Sequence, residues 1–243
     1  ALHFQQRVLI STNTIALQEQ LIQKDIPFLI NALNLEIQAE LAKGMGNYLC
    51  LRKLEETHEE LNFVKVEEKS QLVEILQWSQ KTKDGTRSDL TFVPLYSVWE
   101  QVACESDACS HKKCPFYDKC FFFKARKRCE SAQVIVVNHH LLFSDIVYRA
   151  QSENYKDVAI LPAYQHVIID EAHHIEAVAL DHYATDVSRW SLWRLLNRLD
   201  GDGRSLKRGK LEGLEKKLLF LKVEKNDNEI DSIFKRLRID IPG

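Results

Sequence analysis

A chain of 243 residues, 45% hydrophobic and 28% charged, carries enough apolar material for a substantial core and has room for more than one domain. Its net charge of −2 does not by itself predict a polyanion partner, eight Gly and five Pro exclude a fibrous or loop-dominated chain, and no apolar run approaches the roughly 20 residues that span a bilayer. No basic segment followed by an apolar one opens the chain, so export is not expected and a cytoplasmic setting with reduced thiols is.

The first predicted element is a strand-like run, Arg7-Val8-Leu9-Ile10, ending in Ser11-Thr12-Asn13-Thr14. A helix follows from Ile15, with Leu17, Leu21 and Ile22 on one face and Asn13 or Thr14 as its cap. Residues 26–42 continue an α/β layer, and Gly44 and Gly46 mark a turn. Residues 48–132 differ in texture. Helical patterns (Leu72, Ile75, Leu76; Val98, Val102), a polar loop at 80–89 and a group of cysteines suggest an insertion between two strands of a larger sheet. The run VIVV at 134–137 reads as a buried parallel strand, and Val167-Ile168-Ile169, ending in Asp170-Glu171, as another. From 174 the pattern is helical through Trp190, Leu192, Trp193, Leu195, Leu196 and Leu199. A polar turn at 200–209 and a charged helix near 211–223 follow.

Cysteine use is the first unusual feature. Of six cysteines, five (Cys104, Cys109, Cys114, Cys120, Cys129) fall within 26 residues, and the sixth is Cys50. In a reducing compartment such clustering favours metal ligation over disulfides. The local rhythm is Cys109-x4-Cys114-x5-Cys120. Zinc ligands usually come as two close pairs, so the gaps lean toward an iron–sulfur cluster, with a zinc knuckle and plain buried thiols as the alternatives. Cys104 stands in the same x4 rhythm, so spacing leaves open which four cysteines ligate. Pro115 suits the first turn of a helix through 116–128, which would set Cys114 at a helix N-terminus and Cys120, Lys124, Lys127 and Arg128 on one face. From His111 to Arg128 there are seven Lys or Arg and one acid, Asp118, a candidate nucleic-acid footprint in a near-neutral chain. Phe116, Tyr117, Phe121, Phe122 and Phe123 either wall a cluster off from water or stack on unpaired bases.

HVIIDEAHH (166–174) delivers two carboxylates at the end of an apolar strand. Phosphoryl transfer needs a magnesium ion near the β- and γ-phosphates and a group that orients water. The expected roles are magnesium holding for Asp170, a water-activating base for Glu171, and nucleotide coupling for His173.

Together these residues resemble the superfamily 2 iron–sulfur helicases, the XPD-like group, and within it the bacterial DinG/YoaA branch. Asp170-Glu171-Ala172-His173 matches the DEAH box. LISTNTIALQEQL (9–21) resembles the branch's motif Ia, which in the family contacts the DNA backbone; GNYLC (46–50) and Cys109-x4-Cys114-x5-Cys120 with FFFKAR resemble its cluster segments, and VIVVNHHLLF (134–143) its return into the motor. The resemblance implies a [4Fe-4S] cluster on Cys50, Cys109, Cys114 and Cys120, with Cys104 and Cys129 as non-ligands. It also implies ATP and Mg2+ as cofactors, 5′ to 3′ movement on single-stranded or forked DNA, and a monomer. DNA contacts are expected at Ser11, Thr12, Thr14, Gln18, Lys124, Lys127 and Arg128. The fold implied is a partial RecA-like parallel α/β sheet with a mostly helical insertion: motor at 1–43, cluster domain at 44–133, motor again at 134–180, and the start of a helical arch at 181–243.

One departure is large: no G-x-x-x-x-G-K-[ST] occurs in the chain. The expectation is therefore a piece of a longer helicase that does not hydrolyse ATP usefully alone. A non-enzymatic, metal-bearing nucleic-acid-binding module is the competing reading.

Overall fold

The computed structural model describes residues 6–59, 66–106, 108–153, 155 and 158–183. The chain divides into units Ala1–Ala184 and Thr185–Gly243, and these residues all belong to the first. The helices and turn expected beyond 183 lie outside the described residues.

Four strands form one parallel sheet in the order β2-β3-β1-β4: β1 Val8–Thr12, β2 Ala39–Leu41, β3 Val134–Asn138 and β4 His166–Ile169. The α/β class and partial RecA-like sheet expected from the sequence are both present. In β3, Ile135 and Val137 enter one core with Leu9, Leu141, Leu142 and Leu161, while Val134 and Val136 enter another with Ile26. Side chains alternate along a strand, so an unbroken β-branched run is what a strand covered on both faces requires.

β4 departs from expectation. It was read as a buried strand, yet Val167, Ile168 and Ile169 are 41%, 54% and 42% exposed. The reason is position: β4 pairs with β1, and among the described residues no strand pairs its other edge.

After β1, helix α1 (Ile15–Gln20) is capped by Thr14, whose Oγ1 accepts the Leu17 N–H at 3.3 Å. A π-helical turn, Leu21–Asp25, joins it to α2 (Ile26–Ala32). Pro27 has no N–H to donate, and its ring would crowd the carbonyl of Gln23 in an unbroken α-helix. The wider turn removes that conflict.

The insertion comprises α3 (Leu51–Glu59), α4 (Val66–Ser79), α5 (Tyr96–Val102) and α6 (Phe121–Ser131). Its own core gathers Leu49, Leu54, Leu72, Ile75, Val98, Trp99 and Val102. α6 reaches both cores: Ala125 packs beside Tyr48 and Cys104, while Cys129 packs beside Leu9 and Ala132. Cys129 is fully buried, and burial pushes its thiol up to about 11, so it is an apolar packing residue. Lys43 forms the joint between sheet and insertion. Its Nζ donates to Glu19 of α1 at 2.9 Å and to Ser88 Oγ of the insertion at 2.6 Å. Burial alone would raise the Glu19 carboxyl; the Ser88 and Lys43 hydrogen bonds outweigh it and hold the group below its ordinary value.

Candidate functional site

β1, β3 and β4 end at a common edge, with Ser11 in register with Val137 on one side and Ile169 on the other. In parallel sheets this carboxyl edge is where ligands bind. The Asp170 N–H donates to the Ser11 carbonyl at 2.9 Å, which ties the first acid's backbone to the sheet. Glu171 then takes φ 49° and ψ 48°, a left-handed conformation that costs a side-chain-bearing residue about 1–2 kcal/mol. This bend turns the chain out of β4 into a short 3-10 turn (Ala172–His174) and α8 (Ile175–Tyr183). Asp170, Glu171 and His173 are all exposed. His173 lies against His174, ring centroids 4.0 Å apart.

Behind the acids sits a residue that sequence reasoning missed. His139 opens α7 (His139–Ser152), is fully buried, and places Nδ1 2.7 Å from Ser11 Oγ. Burial is the main cause of its lowered pKa, which Asp170 partly opposes. Only the NHH triplet after VIVV hinted at it. Of the four motif Ia positions expected to meet DNA, Ser11 and Thr12 are 0% exposed and Gln18 is 1%. Their side chains face inward; Thr14 alone is exposed, and its hydroxyl caps α1. Thr12 Oγ1, Gln18 Nε2 and His139 Nε2 are buried without hydrogen-bond partners. Such atoms are few in native proteins, and these three flank the edge that carries the acids.

The second constellation is a cavity in the insertion, about 470 Å³ of free space including its mouth to solvent. Cys50, Cys104, Cys109, Cys114 and Cys120 all line it, so residue 50 does reach the distant cysteine loop. Among the described residues, no group of three or more His, Cys, Asp and Glu is arranged to hold a metal ion. Cys50 directly precedes α3, and the Cys104 hydrogen bond, followed by the Lys53 and Arg52 backbone N–H groups, lowers its thiol to about 6. Cys120 is the N-cap of α6 and is likewise lowered to about 6, by Cys104 first and then by the Phe123 and Phe122 N–H groups. Two helix N-termini thus favour thiolates here.

That corrects one expectation. The helix does not start at Pro115; two 3-10 turns, His111–Lys113 and Tyr117–Lys119, precede it, and α6 begins at Phe121. Cys120, not Cys114, therefore occupies the helix N-terminus. The tight turns let Cys109, Cys114 and Cys120 all face one cavity, which a straight helix through 116–120 would not.

Phe116, Tyr117 and Phe123 line the cavity, and Phe121 and Phe122 pack inward beside Tyr48. Tyr48 and Phe122 meet edge to face at 5.6 Å. These contacts fit the walling role of the aromatics rather than base stacking. On the outer face of α6, Lys124 and Lys127 are exposed, and among the described residues no ion pair engages them. Arg128 is engaged: Nε contacts Glu40 at 3.1 Å and Nη2 contacts Asp84 at 3.6 Å.

The sequence matches the DEAD_2 family over residues 47–192, more than half of the chain. The chain belongs to the DEAD_2 family. It is similar to "ATP-dependent DNA helicase YoaA" of Escherichia coli (strain K12), 35% identical over 189 residues, covering 77% of this chain and 29% of that protein. It is similar to "ATP-dependent DNA helicase DinG" of Photobacterium profundum, 37% identical, covering 74% of this chain and 27% of that protein. A third relative, "3'-5' exonuclease DinG" of Bacillus subtilis, is 30% identical and is matched over 93% of this chain and 23% of its own length. The DEAD_2 chain thus spans under a third of the length of these relatives.

Its cysteine cavity depends on one glycine. Gly85, at φ 61°, accepts the Leu49 N–H on its carbonyl at 2.9 Å, one residue before Cys50. A Cβ at Gly85 would run into the Phe121 ring at the start of α6. Gly85→Ala combines a left-handed penalty with overpacking, and the expected loss is about 2–4 kcal/mol. Chemical denaturation checks it, and Phe121→Leu added to Gly85→Ala recovers part of the loss by making room. A loss under about 1 kcal/mol would show that the Phe121 ring swings aside freely.

Proposed function

We propose that this chain forms the cluster domain and part of the first motor domain of an ATP-dependent DNA helicase of the DinG/YoaA kind. The full protein translocates 5′ to 3′ on single-stranded or forked DNA, as a cytoplasmic monomer serving repair or replication. The observation that carries the reading is the Asp170-Glu171-Ala172-His173 run at the carboxyl edge of a parallel sheet, where its neighbour strands also end. In this reading Asp170 holds the nucleotide's magnesium through water, Glu171 accepts the proton of the attacking water, and His173 couples the nucleotide to a neighbouring element. Thr14 and the Lys124 and Lys127 face of α6 meet the DNA backbone, with Arg128 joining once freed from Glu40 and Asp84. Ser11, Thr12 and Gln18 act from inside, by fixing the turn that presents Thr14.

The thiols of Cys50, Cys109, Cys114 and Cys120 hold a [4Fe-4S] cluster. The donor set supports this: thiols in one cavity, two of them at helix N-termini that favour an anionic centre. When bound, the cluster cross-links residue 50 to the 109–120 loop and stabilises the insertion.

The test uses the full-length protein and a duplex with a single-stranded tail of either polarity. The expected result is unwinding that requires ATP and a 5′ tail. DNA binding without ATP hydrolysis would favour the non-enzymatic binding module instead.

A further inference from the structure

The cavity contains one thiol more than a cluster needs. Leu49 and Ala103 form an antiparallel bridge, with the Cys50 N–H donating to Val102 at 2.8 Å and the Cys104 N–H donating to Tyr48 at 2.9 Å. Side chains alternate across such a bridge, so Leu49 and Ala103 enter the insertion core while Cys50 and Cys104 turn to the opposite side. Cys104 is 5% exposed and lines the cavity beside Cys50 and Cys120, near enough to shift both of their thiols. It therefore sits between the two cysteines that cap α3 and α6, with Cys109 and Cys114 lining the same space.

We propose that Cys104 is an interchangeable fifth ligand, able to replace Cys50 or Cys120 on the cluster. The inference rests on the cluster reading above. A thiol that lines the same cavity beside both neighbours is placed to stand in for either one. The backbone bridge fixes where its Cα sits. In the exchange one iron–sulfur bond to Cys50 or Cys120 breaks and one to Cys104 forms. The proton of Cys104 passes to the released thiolate, and no electron is transferred. Cys109 and Cys114 flank the 3-10 turn His111–Lys113, apart from the bridge that fixes Cys104, so their loss is not made good. The arrangement gives the centre a way to survive damage to either helix-capping thiol.

The experiment reconstitutes a full-length protein containing this chain anaerobically with iron and sulfide, then measures bound iron and visible absorbance. Wild type and Cys104→Ala are expected to take up about four irons per chain. Cys50→Ala and Cys120→Ala retain at least about half of that, and each falls at least about fivefold further when Cys104→Ala is added. Cys114→Ala alone falls as far as the double variants. Two independent single variants keep the test open to failure if one of them does not fold. If Cys50→Ala and Cys120→Ala both lose iron as fully as their doubles while wild type loads, the fifth-ligand proposal is wrong and the cluster reading stands. If wild type takes up no iron, the cluster reading falls and this inference falls with it.

Discussion

Glu171→Gln in a full-length protein containing this chain slows ATP hydrolysis by about 10²–10⁴-fold and leaves nucleotide affinity within a few-fold. The change keeps the size and the hydrogen-bonding reach of the side chain and removes only its capacity to accept a proton. The fold should not register it, because Glu171 is exposed and the structure gives its carboxylate no partner among the described residues. Its backbone is another matter. Glu171 holds a left-handed conformation at φ 49°, directly after Asp170 leaves β4. Glutamine tolerates that conformation about as well as glutamate, so the melting temperature should stay near that of the parent. Single-turnover hydrolysis alongside nucleotide titration separates the two effects. A variant retaining more than about a tenth of the parental rate would remove Glu171 from the base role.

Asp170→Asn should behave differently, since it weakens magnesium holding and so raises the metal concentration needed for half-maximal rate. The 243-residue chain alone, lacking a phosphate-cradling G-x-x-x-x-G-K-[ST], should show no DNA-stimulated hydrolysis at all.

What the sequence reveals about this fold follows the range of the forces involved. Val134–Val137 reads as a buried parallel strand because covered sheet faces demand a continuous apolar run, Arg7–Ile10 reads as a strand, and the two are found paired in parallel. The cap at Thr14 was legible for the same local reason. Spacing groups Cys109, Cys114 and Cys120 and leaves open which four cysteines ligate; the family resemblance adds Cys50, and all four line one cavity together with Cys104. The failures are non-local. Pro115 obeys the rule for a helix start, but the need to turn Cys114 and Cys120 toward one space imposes 3-10 turns instead. β4 has the composition of a buried strand and lies at an edge, because exposure is decided by which strands pair with it. Ser11 and Thr12 look like surface polar residues next to a turn, yet β1 continues through both and buries them, Ser11 against His139, 128 residues away. Cys104 joins the cavity only through its bridge to the Tyr48–Cys50 segment, a pairing no local pattern encodes.

The sheet and the cysteine cavity are mechanically joined at few points, which bears on how one would inform the other. Lys43 ties α1, the helix after the motif Ia strand, to Ser88 of the insertion, and the Arg126 guanidinium donates to the Lys43 carbonyl at 3.1 Å. α6 carries Cys120 at its first end and Cys129, packed under the sheet, near its last. This helix of eleven residues therefore links the cavity directly to the sheet.

Asp145→Ala is expected to destabilise the sheet-bearing portion by about 3–5 kcal/mol, the largest stability effect expected in the described residues. Asp145 is fully buried in α7 and its carboxylate serves three partners. Oδ2 accepts from Arg149 Nε at 2.6 Å and from the Tyr164 hydroxyl at 3.1 Å, and Oδ1 accepts the Leu161 N–H at 2.7 Å. Arg149, 5% exposed, also donates through Nη2 to the Leu161 carbonyl at 2.9 Å and lies over the Tyr164 ring at 5.3 Å. Burial, and next the Asp145 charge, push the Tyr164 phenol up to about 12, so it remains a donor throughout the physiological range. The network fastens the 161–164 segment to α7, and that segment leads directly into β4 and the acids. Alanine at 145 takes away the carboxylate that faces the buried Arg149 guanidinium, which is the costly half of the change. Arg149→Met alone strands the carboxylate and should cost a similar amount. Asp145→Leu with Arg149→Met removes both charges, and the pair should be less harmful than the sum of its parts by at least about 2 kcal/mol. Urea unfolding of the four proteins measures the coupling directly. Strict additivity would mean that water reaches the pair and screens it, and the network would then be a surface feature rather than the clamp that sets the entry of β4.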